Sequence, residues 1–101
     1  MLAFWLVSGS LSCAQVHLES QGESVHRLGA QELPDCTRVG TTRVQVLAKV
    51  LYVPRSAHRV DDELTILARN AAGNMGGNTV VAEGGTRNGK QTFGVFTCPD
   101  Q

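Results

Sequence analysis

The sequence predicts an α+β domain: a small antiparallel sheet with one helix packed on it, in the order β-β-α-β-β. Three observations carry that expectation. Val44, Val46, Ala48, Val50 and Tyr52 alternate with Arg43, Gln45, Leu47, Lys49 and Leu51, the period-two pattern of a strand with one apolar face. Val60, Leu64, Leu67, Ala68, Ala71 and Met75 recur at helical spacing and form one stripe. Thr79-Val80-Val81-Ala82 and Gln91 to Cys98 flank an Asn88-Gly89 pair, the two-residue signal of a hairpin. Strands on both sides of a single amphipathic helix bury their apolar faces most economically when the helix covers one sheet.

Taken in chain order, Val25 to Leu28 is a short β-prone run behind the turn Ser20-Gln21-Gly22, and Leu33-Pro34-Asp35 is a second turn before the long alternating strand. The second face of that strand turns apolar near Leu47, which predicts partial cover there. Pro54 to Arg59 breaks the strand and introduces the helix. Asp61 and Asp62 suit its N-terminus, where carboxylates accept bonds from free amides and complement the dipole. Glu63 and Arg69 fall off the apolar stripe and are expected in solvent, while Ile66 sits nearly opposite it. Ala68, Ala71 and Ala72 keep one side thin enough for close approach to a sheet, and Gly76 and Gly77 stop the helix by accepting a left-handed conformation. In the last strand Phe93 and Val95 share one face, with Phe96 and Cys98 on the other.

A chain of 101 residues, 42% hydrophobic, holds one modest core. Its nine basic residues balance nine acidic ones, without the basic excess of a nucleic-acid binder. The charges are unevenly placed: no charged side chain precedes Glu19. Met1 to Val7 is apolar and Ser8 to Ala14 is mostly small, too short for the roughly 20 residues of a membrane span but suited to the hydrophobic region of an export signal. Residues 1–14 are therefore expected to be a signal whose basic beginning lies upstream, residues 15–33 a tether with a short strand, and residues 34–101 the folded domain. Two ways of processing compete. Ser12-Cys13-Ala14 offers small residues for cleavage before Gln15, whereas Leu11-Ser12-Cys13 is a degenerate lipobox that would make Cys13 a lipidated N-terminus; the second is favoured. Either leaves Cys36 and Cys98, an even pair that an oxidising compartment is expected to join.

Reaction machinery is not evident. His17, His26 and His58 are scattered without a partner at metal-ligand spacing, and no Cys-x-x-Cys pair occurs. Asp61, Asp62 and Glu63 point in different directions on a helix, and Gly73, Gly76 and Gly77 follow a helix rather than precede it, which is the wrong end for a phosphate cradle. The sequence thus predicts no catalytic, cofactor-binding or metal-binding residues. Two surfaces remain for binding: the sheet face near Leu47 and Leu51, and the basic tip Arg87-Asn88-Gly89-Lys90, which could touch acidic lipid or glycan but reads first as a solvated turn.

Cys36 followed by Val39-Gly40, then Leu67-Ala68-Arg69-Asn70-Ala71-Ala72, then Met75-Gly76-Gly77-Asn78-Thr79-Val80-Val81 and a terminal aromatic strand ending in Cys98-Pro99, resembles the small envelope lipoproteins related to RcsF, the outer-membrane sensor of the Rcs stress phosphorelay. The likeness runs from about Cys36 to Pro99 and is greatest to members of that group with no assigned function. It implies an α+β periplasmic domain with a structural disulfide and no enzymatic activity. The pattern departs from RcsF-type sensors, which carry four cysteines in the domain and a long proline-rich basic linker. The expected protein is a non-enzymatic lipoprotein of a Gram-negative envelope, in the outer membrane or periplasm. It would act through contacts with envelope proteins, in stress sensing or signalling, and meet the membrane through Cys13. The alternative is a small periplasmic module that binds a ligand or the cell wall.

Overall fold

The structure, a computed structural model, describes residues 16–33, 35–50 and 53–99. Residues 1–15, including Cys13, lie outside the described residues, as do Leu51 and Tyr52. Among the described residues the elements are β1 (His26–Arg27), β2 (Thr37–Gln45), β3 (Lys49–Val50), β4 (Val53–Pro54), α1 (Ala57–Asn74), β5 (Thr79–Arg87) and β6 (Lys90–Thr97). The fold is α+β: α1 lies on a four-stranded sheet of order β1-β5-β6-β2, with β3 and β4 forming a separate small hairpin ahead of the helix. β6 pairs antiparallel with both β5 and β2. β1 runs parallel to β5, so the sheet is mixed rather than purely antiparallel. That pairing is fixed by His26 N–H donating to the Asn78 carbonyl and Leu28 N–H to that of Val80, each at 3.0 Å.

The helix begins earlier than its acidic residues suggest. Ser56 is the N-cap, its hydroxyl accepting from Arg59 N–H at 3.1 Å, which satisfies one of the amides left free at a helix start. Asp61 and Asp62 instead fall in the second turn, and Asp61 meets Arg27 of β1 at 3.1 Å. At the other end Gly76 takes φ +85, the left-handed stop expected of it. Gly77 has a different reason for lacking a side chain, since a Cβ there would collide with Val95.

Val60, Leu64, Ala68 and Ala72 form the buried face and meet Val25, Val80, Phe93 and Val95 in one core. Met75, placed on the apolar stripe by its spacing, is exposed. Glu63 and Arg69 are not free in solvent. Arg55 holds Glu63 at 2.6 Å, and Arg69 Nε donates to the Val25 carbonyl at 2.6 Å. Each lies off the stripe yet is half-buried: Glu63 is paired by the turn just ahead of the helix, and Arg69 by a segment distant in sequence.

That segment is the stretch read as a tether. Val25 is completely buried, and residues 17–22 run along α1. The buried Asn70 side chain accepts from Glu19 N–H at 2.8 Å and donates to the His17 carbonyl at 2.9 Å, so one amide replaces the partners that two extended backbone groups would otherwise find in water. Gly22 and Gly73 let the two backbones touch, and a Cβ on Gly73 would overlap the Gln21 carbonyl. Gly73→Ala gains about 1 kcal/mol of helix propensity, but overpacking against backbone costs about 1–3 kcal/mol. The opposing group cannot rotate away, so a net loss of up to about 2 kcal/mol is expected in urea unfolding, and a raised midpoint would contradict this packing.

The long strand is displaced from its expected position. β2 starts at Thr37, passes an irregularity between Arg38 and Gly40, and stops at Gln45. The apolar alternation continues beyond it, but there Val46 N–H donates to the Gly89 carbonyl at 2.9 Å and the chain turns outward, leaving Leu47 64% exposed. The β5–β6 connection is tight: only Asn88 and Gly89, at φ 53 and 74, separate the strands, and β5 runs on past Ala82 to Arg87. Gly84 and Gly85 instead occupy a register shift in β5, filled by the buried Gln91. Its Nε2 donates to the Glu83 and Gly84 carbonyls at 3.0 and 3.1 Å, and its Oε1 accepts from Thr86 at 2.7 Å.

Candidate functional site

The structure joins Cys36 to Cys98 with a Cα–Cα separation of 4.2 Å. The bond sits where β2 begins and β6 ends, and the same corner is clamped by Asn78, which accepts from Cys98 N–H at 2.8 Å and donates to its carbonyl at 2.9 Å. The cystine ties the start of β2 to the end of β6 and the amide ties that end to the start of β5, and neither offers a nucleophile.

On the face of the sheet away from α1, Gly94 leaves a notch on which the Arg38, Glu83 and Phe96 side chains converge. Arg38 donates to both Glu83 oxygens at 2.9 and 3.2 Å and lies 5.4 Å above the Phe96 ring. The hydrogen bond to Glu83, followed by its charge, raises the guanidinium pKa further. These groups satisfy one another, which leaves little for a ligand to use.

Three other surfaces are less occupied. A cleft of about 760 Å³ runs between the N-terminal segment, the end of β2 and α1, lined by Val16, Val46, Leu47 and Leu67 with the Arg55–Glu63 pair at its side. A groove of about 460 Å³ lies beside the hairpin turn and is lined by Arg43, Arg87 and Lys90. The sheet's register creates this second site: Lys90 pairs with Gln45 of β2 and with Arg87 of β5, and Arg43 pairs across from Thr92. Its acidic member, Glu83, is already held by Arg38. The third surface is the outer edge of β2, a nine-residue strand that pairs only with β6 and makes no ladder to another described residue.

Sequence reasoning singles out Leu47 and the tip Arg87 to Lys90 as two surfaces, and the structure places Leu47 at the cleft and Arg87 and Lys90 at the groove. Arg43 was missed as a member of the basic cluster, because it lies 44 or more residues away and only the strand pairing brings it there; aligning the Asn88-Gly89 turn with the end of β2 would have been the signal. Leu51 and Cys13 lie outside the described residues. The histidines remain apart: His26 is on the short edge strand, and His58, 88% exposed, reaches only Asp62 at 3.4 Å. Among the described residues no group of three or more His, Cys, Asp or Glu could hold a metal ion, and no described helix is long and apolar enough to cross a membrane.

The model of a family described as a domain of unknown function, DUF4156, matches residues 16–98. The chain belongs to that family. The match takes in Val16 at the cleft, the Asn70 clamp, the basic groove and both cysteines of the disulfide. No curated protein and no solved structure matches the chain.

Proposed function

We propose that this DUF4156 protein is a non-enzymatic lipoprotein of a Gram-negative envelope, anchored through Cys13 and related to the RcsF group, that acts through contacts with envelope proteins in stress sensing or signalling. The observation that carries the reading is the unpaired outer edge of β2. A row of free backbone donors and acceptors is a template for an added strand, and Val39, 40% exposed on that strand, offers an apolar side chain to a partner. The Cys36–Cys98 bond supports an oxidising compartment, as the charge-free residues 1–14 support export.

A photo-crosslinking residue at Val39 in living cells should give discrete protein adducts, and the mature protein should carry a diacylglyceryl mass on Cys13. A mature N-terminus at Gln15 would remove the anchor. The 760 Å³ cleft favours the second reading, a periplasmic ligand- or wall-binding module. A thermal shift specific to one small molecule, with no protein adducts at Val39, would decide for it.

A further inference from the structure

Three features converge at one end of the domain. Arg43, Arg87 and Lys90 are exposed, line one groove and make no ion pair with another described residue. Leu47, 64% exposed, lines the neighbouring cleft at the same end, because the bond from Val46 N–H to the Gly89 carbonyl ties its loop to the hairpin turn that separates Arg87 from Lys90. Val16, where the described chain begins, lines the same cleft as Val46 and Leu47.

We propose that the end of the domain formed by Leu47, Arg43, Arg87 and Lys90 docks on a bilayer surface that carries anionic phospholipid headgroups. The inference rests in part on anchoring at Cys13. Cys13 and Val16 are three residues apart, a reach of about 10 Å at full extension, so an acylated Cys13 holds the cleft end of the body against the interface. Charge complementarity then selects the surface. Cations within a Debye length of anionic headgroups are attracted to them, and an exposed apolar side chain at the same end of the body suits the boundary between headgroups and acyl chains. A soluble phosphate or an acidic glycan would use the cations but leave Leu47 in water. The β2 edge runs away from this end toward the disulfide and stays open to a protein while the end is docked.

The test uses the mature protein purified from cells, with a nitroxide on Leu47→Cys or on Asn74→Cys. Asn74 is exposed at the other end of α1, which starts beside Arg55 and Ala48 and ends beside Gly40. In vesicles of phosphatidylcholine with phosphatidylglycerol, the label at 47 should be reached by oxygen in preference to an aqueous nickel complex, with the opposite preference at 74. High salt, or vesicles of phosphatidylcholine alone, should return the label at 47 to water. Each cation replaced by Gln should weaken the docked state about fivefold, and the triple replacement about a hundredfold. A label at 47 that stays aqueous in the anionic vesicles while Cys13 carries its lipid overturns the docking and leaves the anchor intact. If Cys13 proves unacylated, salt-sensitive binding of the protein to anionic vesicles that buries the label at 47 supports docking without the anchor, and its absence overturns docking. Inorganic phosphate that raises the melting temperature while the label at 47 remains aqueous would assign the groove to a soluble anion and also overturn it.

Discussion

Replacing both Cys36 and Cys98 by serine is expected to lower the unfolding free energy by about 4 kcal/mol. The bond closes a loop of 62 residues in sequence separation, and in the chain-entropy account a cross-link of that length restricts the unfolded ensemble strongly. The loss is large because domains of this size are stable by only about 5–15 kcal/mol. Measured by urea unfolding, the double-serine protein and the reduced wild type should agree, since both lack the same cross-link. A loss below about 1 kcal/mol would mean that the Asn78 clamp alone holds the corner. Replacing Asn78 by Ala within the double-serine protein would then separate the two contributions.

Phe93→Ala should cost about 3–5 kcal/mol, the range for a large aromatic removed from a core that cannot collapse around the gap. Phe93 is completely buried and is the largest side chain in that state. It lies on β6, between β5 and β2, under a helix face built from Val60, Leu64, Ala68 and Ala72. The alanines cannot move in to fill the space, because α1 is fixed at both margins by the Arg27–Asp61 pair and the Asn70 clamp. Arg27 also lies 5.4 Å above the Phe93 ring, a cation–π contact that the same substitution removes. Phe93→Leu, which keeps most of the volume, should recover at least half of the loss. Equal losses for the two variants would point to the ring contact rather than to the cavity.

Much of this architecture is legible in the sequence where one face of an element is buried and the other is not. The helix stripe, the short strand after Val25 and the Asn88-Gly89 turn follow from local pattern and glycine chemistry. The beginning of β2 was not legible because Thr37 to Thr41 has no apolar face: the strand is an edge whose side chains are largely exposed, so periodicity has nothing to report. Its end was misread for the converse reason. Val46, Ala48 and Val50 continue the alternation, but a carbonyl from the distant hairpin captures Val46 and turns Leu47 outward. The same kind of long-range partner accounts for Arg69 and Asn70, whose surroundings come from Val25 and residues 17–19, while Glu63 is met by Arg55 from the turn just ahead of the helix. Ser56 was overlooked as the cap because the acidic pair behind it is the stronger textual signal, although those carboxylates arrive a turn too late to reach the free amides. For the candidate surfaces the lesson is similar. The residues of the hairpin tip were visible, but a groove exists only when β2 adds Arg43.

The position of β6 bears on the order in which this molecule can be built. β2 and β5 touch no common ladder except through β6, so a nascent chain that has emerged only as far as Gly89 has a helix, the β3–β4 hairpin and the short β1–β5 pair, but not the four-stranded sheet. The Cys36 thiol likewise waits for Cys98, the residue just beyond β6. Assembly of the full sheet is thereby postponed until nearly the whole length is present, so the four strands and their cross-link close as one late event.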